Sequence, residues 1–88
     1  MTPLEDARNL GPTTATELAT VGIATLEHLR AIGWAEAFER WIVAYPERLN
    51  LNALTALIGA VEDEDWRRLP ADRQTEARAL VQELRASS

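Results

Sequence analysis

The fold of this chain is decided by the stretch NLGPTTATELATVGIATLEHLRAIG, residues 9–33. Gly11, Gly22 and Gly33 recur at equal spacing in it, and each lies where a helix would begin or end. Pro12 suits the first position of a helix, because its ring fixes φ and its missing N–H needs no partner there. Gly22 suits the left-handed residue that ends a helix. The stretch therefore predicts two short helices joined by a hairpin turn.

Helical signals continue on both sides of this stretch. TPLE at residues 2–5 matches a capping box, which predicts a helix over residues 3–9. Thr25 can cap the helix that ends at Gly33. Apolar side chains spaced by three and four positions predict a further helix over residues 34–45.

The second half of the chain is also expected to be helical. Asn50 or Asn52 can cap a helix that is apolar on most sides, which predicts the central buried helix. Gly59 within it costs about 1 kcal/mol relative to alanine, and a close crossing by another helix would justify this cost. A last helix follows Pro70, and no stretch has the alternation of a strand. The sequence therefore predicts an all-α fold of five or six short helices with an N-terminal helix-hairpin-helix-like unit. These helices are expected to form a single domain over residues 1–88, with its core at about residues 4–84.

Composition limits the classes of partner and chemistry. The chain has 88 residues with 14 acidic and 9 basic side chains, all of the latter arginine, and a net charge of −5. Independent nucleic-acid binders usually present a basic face, so tight DNA binding is not expected. There is no cysteine for a disulfide or a thiolate metal site. Without a signal peptide pattern or an apolar run of about 20 residues, a cytoplasmic protein with no membrane contact is expected.

The turn at Gly11 has two interpretations. In the binding interpretation, backbone N–H groups near Gly11, Thr13 and Thr14 hold one phosphate or a partner group, with Arg8 as the nearby cation. In the structural interpretation, Asn9 and Gly11 supply permissive backbone angles while Thr13 or Thr14 caps the helix. The acidic surroundings and the lack of lysine favour the structural interpretation, and both stay open.

The aromatic residues also have two interpretations. Trp34, Phe38, Trp41 and Tyr45 follow the spacing of one helical face, which favours core packing over a platform for a base. A small domain seldom buries three tryptophans fully. We therefore expect Trp34, Trp41 and Trp66 to include an exposed aromatic interface for a protein partner or for self-association.

Enzyme activity is the least supported class. His28 is the only histidine, and a lone histidine on a short amphipathic helix is usually a surface residue. The acidic run EDED at residues 62–65 lacks the alternating ligand pattern of a calcium loop, so a solvated turn is expected there. We predict no catalytic residue, no cofactor, no metal and no small-molecule substrate.

Several stretches together resemble a known family. The matching segments are NLGP (residues 9–12), VGIATLEHL (21–29), Gly33, LNALTALIGA (51–60), Trp66 and LP (69–70). In order and spacing, residues 4–84 resemble the C-terminal domain of the bacterial TfoX/Sxy competence regulators. The resemblance implies a fold related to helix-hairpin-helix domains and a link to the regulation of DNA-uptake genes. The family often has a basic residue after the Gly-Pro pair, where this chain has Thr13 and Thr14.

These observations lead to two functional hypotheses. The first is a non-enzymatic interaction module that acts through protein contacts in competence-related or transcriptional regulation. The alternative is weak, sequence-independent binding of DNA or RNA through the turn at Gly11. Salt separates them, because phosphate binding weakens steeply as salt rises and an apolar protein contact does not.

Overall fold

The computed structural model describes residues 1–87, which form five α-helices and three short 3₁₀ turns around one hydrophobic core. The helices are α1 (Pro12–Thr20), α2 (Leu26–Ile32), α3 (Trp34–Ala44), α4 (Leu51–Glu62) and α5 (Ala71–Ser87). The 3₁₀ turns cover Leu4–Asp6, Pro46–Arg48 and Trp66–Arg68. The all-α prediction is confirmed. Among residues 1–87 there is no helix with the length and apolar character that crossing a bilayer demands.

The glycine-rich stretch forms the two predicted helices. Gly11 is the N-cap of α1. Gly22 and Gly33 have φ of +87° and +86°, which a residue with a side chain rarely adopts. Thr25 caps α2, because its hydroxyl accepts the N–H of His28 at 3.1 Å. Since Gly33 ends α2 and also precedes α3, the chain changes direction there without a loop.

The predicted helix over residues 3–9 is wrong. Only Leu4–Asp6 is helical, as a single 3₁₀ turn. Thr2 does not cap it: its N–H donates to the carboxylate of Glu27 at 2.8 Å, and its carbonyl accepts the N–H of Leu26 at 2.9 Å. These bonds hold the N-terminal segment in an extended form beside the start of α2, so the capping box cannot form.

The central helix is α4, as predicted. Asn50 caps it by accepting the N–H of Ala53 at 2.8 Å. It packs against α2, α3 and α5. Its buried residues are Leu54, Thr55, Leu57, Ile58, Gly59 and Ala60. The helix therefore forms the centre of the core, against which α2, α3 and α5 pack.

Gly59 allows a close approach, but the group that approaches is not the predicted helix. Asp63 ends α4 with a left-handed φ of 55°, and the N–H of Glu64 bonds to the carbonyl of Gly59 at 2.8 Å. This is the pattern of a Schellman turn. The reversal brings the backbone of Glu64 and the side chain of Asn9 over Gly59. A methyl group there would lie 2.5 Å from the Glu64 carbonyl oxygen and would also clash with Asn9 Nδ2.

Candidate functional site

Asn9 links the turn at Gly11 to the end of α4. Its backbone has a φ of +70°, as the structural interpretation expects of a permissive residue. Its side-chain Nδ2 donates to the carbonyl of Glu64 at 2.7 Å, and its Oδ1 accepts the N–H of Trp66 at 3.4 Å. The amide of Asn9 is therefore engaged within the protein, in contacts that bring together segments far apart in sequence.

The N-terminus of α1 is open. Gly11 is its N-cap and no side chain caps it, so the expectation that Thr13 or Thr14 would be the cap is wrong. Both threonines lie in the first helical turn, where N–H groups have no intrahelical partner. Thr13 is exposed and Thr14 half-buried, and neither hydroxyl makes a hydrogen bond within residues 1–87. A methyl group on Gly11 would meet no atom within 4 Å, so the space around that position is empty.

Arg8, the candidate cation at this turn, lies beside an acid. Its Nη1 is 4.0 Å from the Asp63 carboxylate, and both side chains are well exposed. Exposed pairs of this kind contribute roughly 0–1 kcal/mol, so Arg8 can leave Asp63 for another partner at little cost. The turn nevertheless borders the acidic run 62–65, which weakens any positive field at the open end of α1.

The carboxylates of this acidic run do not converge. Glu62 pairs with Arg73 of α5 at 2.6 Å, whereas Asp65 pairs with Arg67 at 3.1 Å and caps the adjacent 3₁₀ turn. The hydrogen bonds from Arg67 lower the pKa of Asp65. In the part of the chain that the structure describes, no three His, Cys, Asp or Glu side chains are grouped as a metal ion would need.

The three tryptophans differ in exposure. Trp41 is 2% exposed and packs edge-on against Phe38, with ring centroids 6.3 Å apart, so it belongs to the core, as the favoured interpretation predicts, and is removed from the three candidates for an exposed interface. Trp34 is half-buried against the core. Trp66 is 41% exposed. The exposed aromatic surface of this domain thus centres on Trp66.

Trp66 lines a groove between α4, α5 and the 3₁₀ turn that joins them. The groove has a volume of about 260 Å³, and its walls include Leu51, Arg67, Gln74 and Arg78. It continues past Arg78 into a second depression of about 350 Å³, which also borders Leu51. We call the two together the Arg78 groove.

Comparison with known proteins identifies the family. The TfoX C-terminal domain model matches residues 1–81. The chain belongs to this family. No curated relative matches it.

Two solved structures resemble this TfoX C-terminal domain over nearly their whole length. One is the triclinic form of an uncharacterised protein from Listeria monocytogenes, with a TM-score of 0.90, 28% identity, and coverage of 96% of this chain and 94% of that chain. The other is the tetragonal form of a Listeria monocytogenes protein of unknown function, with a TM-score of 0.86, 30% identity, and coverage of 92% and 99%. The TfoX C-terminal fold is therefore shared, while neither of these two proteins has an assigned role.

The TfoX C-terminal fold also assembles a polar cluster that the sequence did not reveal. Glu17 of α1 accepts hydrogen bonds from Trp41 Nε1 at 2.8 Å and from Arg48 Nε and Nη2 at 2.9 and 2.7 Å. The Arg48 guanidinium carbon is 5.9 Å from the centroid of the Trp41 ring. The hydrogen bonds from Arg48, with a further one from Trp41, lower the pKa of Glu17. The cluster joins three separate elements, so its role is to hold them together.

Proposed function

We propose that this TfoX C-terminal domain is a non-enzymatic, cytoplasmic module that acts through protein contacts in competence-related or transcriptional regulation. The observation that carries the proposal is the exposure of Trp66, which keeps 41% of its surface in contact with solvent. Tryptophan is strongly enriched at the centres of protein interfaces. Membership of the family supports the regulatory context.

Site-specific cross-linking tests this proposal. We would place the photoreactive residue p-benzoylphenylalanine at Trp66, where its rings preserve the aromatic surface. The matched control carries it at Val43, an apolar residue of α3 that is 82% exposed. After irradiation in a bacterial lysate, we expect a cross-linked species of higher mass from position 66 and none of comparable yield from position 43. A strict monomer in solution with no cross-link at position 66 would contradict the proposal.

A second candidate function is weak binding of DNA or RNA at the turn that precedes α1. The observation that favours it is the open N-terminus of this helix, with empty space around Gly11 and first-turn N–H groups that no side chain caps. Opposing it are the net charge of −5 and the nearby acidic run.

Gly11→Asp separates this candidate from the first. Gly11 has an extended backbone with φ of −111°, and aspartate is a preferred N-cap, so the variant should fold at least as stably as the parent. Its carboxylate would occupy the place of a phosphate. We would titrate labelled duplex and single strands at low salt. Absence of binding at tens of micromolar protein excludes this candidate, and equal binding by Gly11→Asp excludes the turn as its site.

A further inference from the structure

We infer that the Arg78 groove is the docking site for an acidic segment of a partner protein that inserts one large apolar side chain beside Trp66. This inference rests on the proposed function, because it names the surface and the chemistry of the partner. Its two supports are the shape of the groove and the sign of the charges along it.

The shape suits a single anchoring side chain. The first part of the groove holds about 260 Å³, enough for one aromatic or branched side chain and too little for a folded element. Leu51 and Trp66 give it apolar walls. Thr55 in the same wall is buried, and its hydroxyl bonds to carbonyl groups of α4 itself, so among residues 1–87 the wall carries no buried side-chain donor without a partner. An apolar side chain entering here would bury the exposed face of Trp66.

The charges along the groove are all positive. Arg67, Arg78 and Arg85 line it, and no lining residue within residues 1–87 is acidic, although the whole chain has 14 acids against 9 arginines. Arg67 forms an ion pair with Asp65, and Arg85 donates a hydrogen bond to the carbonyl of Leu49 at 3.4 Å. Arg78 is exposed and makes no ion pair within the described residues. Its position where the two parts of the groove meet makes it the natural contact for a carboxylate.

Backbone and amide groups add to this character. The N-terminus of α4 meets the groove at Leu51 and Asn52, and its dipole adds positive potential there. Gln74 uses its Nε2 to donate to the carbonyl of Leu69 at 2.8 Å, and its Oε1 accepts no hydrogen bond within residues 1–87, so it is available to accept one from a peptide N–H. The groove therefore combines an apolar pocket with cations and side-chain amides.

A protein segment fits these features better than a nucleic acid. Sequence-independent binding of a single strand needs a basic groove that tracks several phosphates, together with repeated stacking residues. Here one aromatic side chain lines the groove, the charge of Arg67 is shared with an acid, and the protein as a whole repels polyanions. A short peptide needs only one anchor and one or two carboxylates to use what the groove provides.

Peptide selection tests the inference directly. A phage library of random 12-residue peptides would be selected on the immobilised domain, and the most enriched peptide synthesised. We expect enriched sequences to carry Asp or Glu on both sides of a Trp, Phe or Leu. Arg78→Glu should weaken binding of the synthetic peptide at least about tenfold, because an attractive contact becomes a repulsive one. Arg40→Glu is the matched control: it makes the same charge change on α3, where Arg40 pairs with Glu36, and should alter binding by less than about twofold.

Four binding results would overturn the inference, and so would one change in oligomeric state. The binding results are enriched peptides without acidic bias, no enrichment at all, equal peptide binding by Arg78→Glu, and an Arg78-dependent site that takes a 12-nucleotide oligo(dT) strand but no peptide. None of these results contradicts the proposed function if the photoreactive residue at position 66 still cross-links to a protein. Conversely, loss of the cross-link together with retained peptide docking would contradict the proposed function and leave the groove as a peptide-binding site. A change from dimer to monomer in Arg78→Glu would identify a second copy as the occupant and overturn the partner named here.

Discussion

Replacing Gly59 with alanine should destabilise this domain, although the same change stabilises an ordinary helix interior. Alanine is favoured over glycine in a helix by about 1 kcal/mol. At Gly59 the new methyl group would lie 2.5 Å from the Glu64 carbonyl oxygen and would collide with the Asn9 amide. Forcing a methyl into a filled space costs about 1–3 kcal/mol. Losing the hydrogen bond between Asn9 and Glu64, which is only partly buried, adds about 0.5–1.5 kcal/mol.

The net expectation is a loss of about 2 kcal/mol in the free energy of unfolding. For a domain of this size that lowers Tm by roughly 8–16 °C. Urea denaturation followed by circular dichroism at 222 nm measures the change. Gly11→Ala is the matched control, because its methyl group would enter empty space at φ −111°. Alanine stabilises this variant by lowering the chain entropy of the unfolded state, and destabilises it because alanine is a poorer N-cap than glycine. The two effects should cancel, so that the free energy of unfolding changes by less than about 0.5 kcal/mol.

A double-mutant cycle with Asn9→Ala locates the cause. If the methyl group acts by displacing the Asn9 amide, the two substitutions should together cost about 1 kcal/mol less than the sum of their separate costs. The remaining penalty comes from the backbone of Glu64, which cannot move aside without opening the turn. A Gly59→Ala variant as stable as the parent, or more stable, would refute the close packing described for this turn.

Three further predictions concern hydrogen-bonded carboxylates and backbone strain. Glu17→Gln should cost about 1–2 kcal/mol of unfolding free energy in urea, because it weakens the bonds from Arg48 and Trp41; an unchanged midpoint would contradict this. The Thr2 N–H lowers the pKa of Glu27 from 4.5 to about 2, so its contribution to stability is complete above pH about 4.5 and is lost as the pH falls towards 2. Glu27→Gln should therefore flatten the Tm profile across that window relative to the parent, and parallel profiles would exclude the contact. Asp63→Gly should be about 1 kcal/mol more stable than Asp63→Ala, because φ at this position is 55°; equal urea midpoints would count against a left-handed residue.

Local signals predicted much of the fold. Gly22 and Gly33 end helices at positive φ, and Thr25 and Asn50 act as N-caps, because each of these roles depends on bonds within three or four residues. The helix over residues 3–9 failed for the opposite reason. Its capping residue, Thr2, bonds to Glu27, which is 25 positions away. A local pattern cannot show that a distant partner offers a better bond.

The candidate site was predicted less well, because its parts meet only in the folded chain. The sequence made Asn9 a candidate residue of a binding turn or a source of permissive backbone angles, and neither interpretation predicts that its side chain bonds to Glu64, 55 positions later. The groove is built from α4, α5 and the turn between them, and no short motif contains its residues. Exposure of Trp66 was one of three possibilities that the composition allowed, and only the packing of Trp34 and Trp41 in the folded chain distinguished them.

The glycine turn and the exposed tryptophan are parts of one structural arrangement. Asn9 lies in the turn before Gly11, and its amide donates from Nδ2 to the Glu64 carbonyl and accepts the backbone N–H of Trp66 at Oδ1, across the end of α4. Gly59 leaves the space in which this amide lies. The segment that most resembles a phosphate-binding motif therefore helps to position the aromatic wall of the Arg78 groove. Under the proposal made above, the turn would support a protein-binding surface, and this role is compatible with its place beside an acidic run that would repel a phosphate.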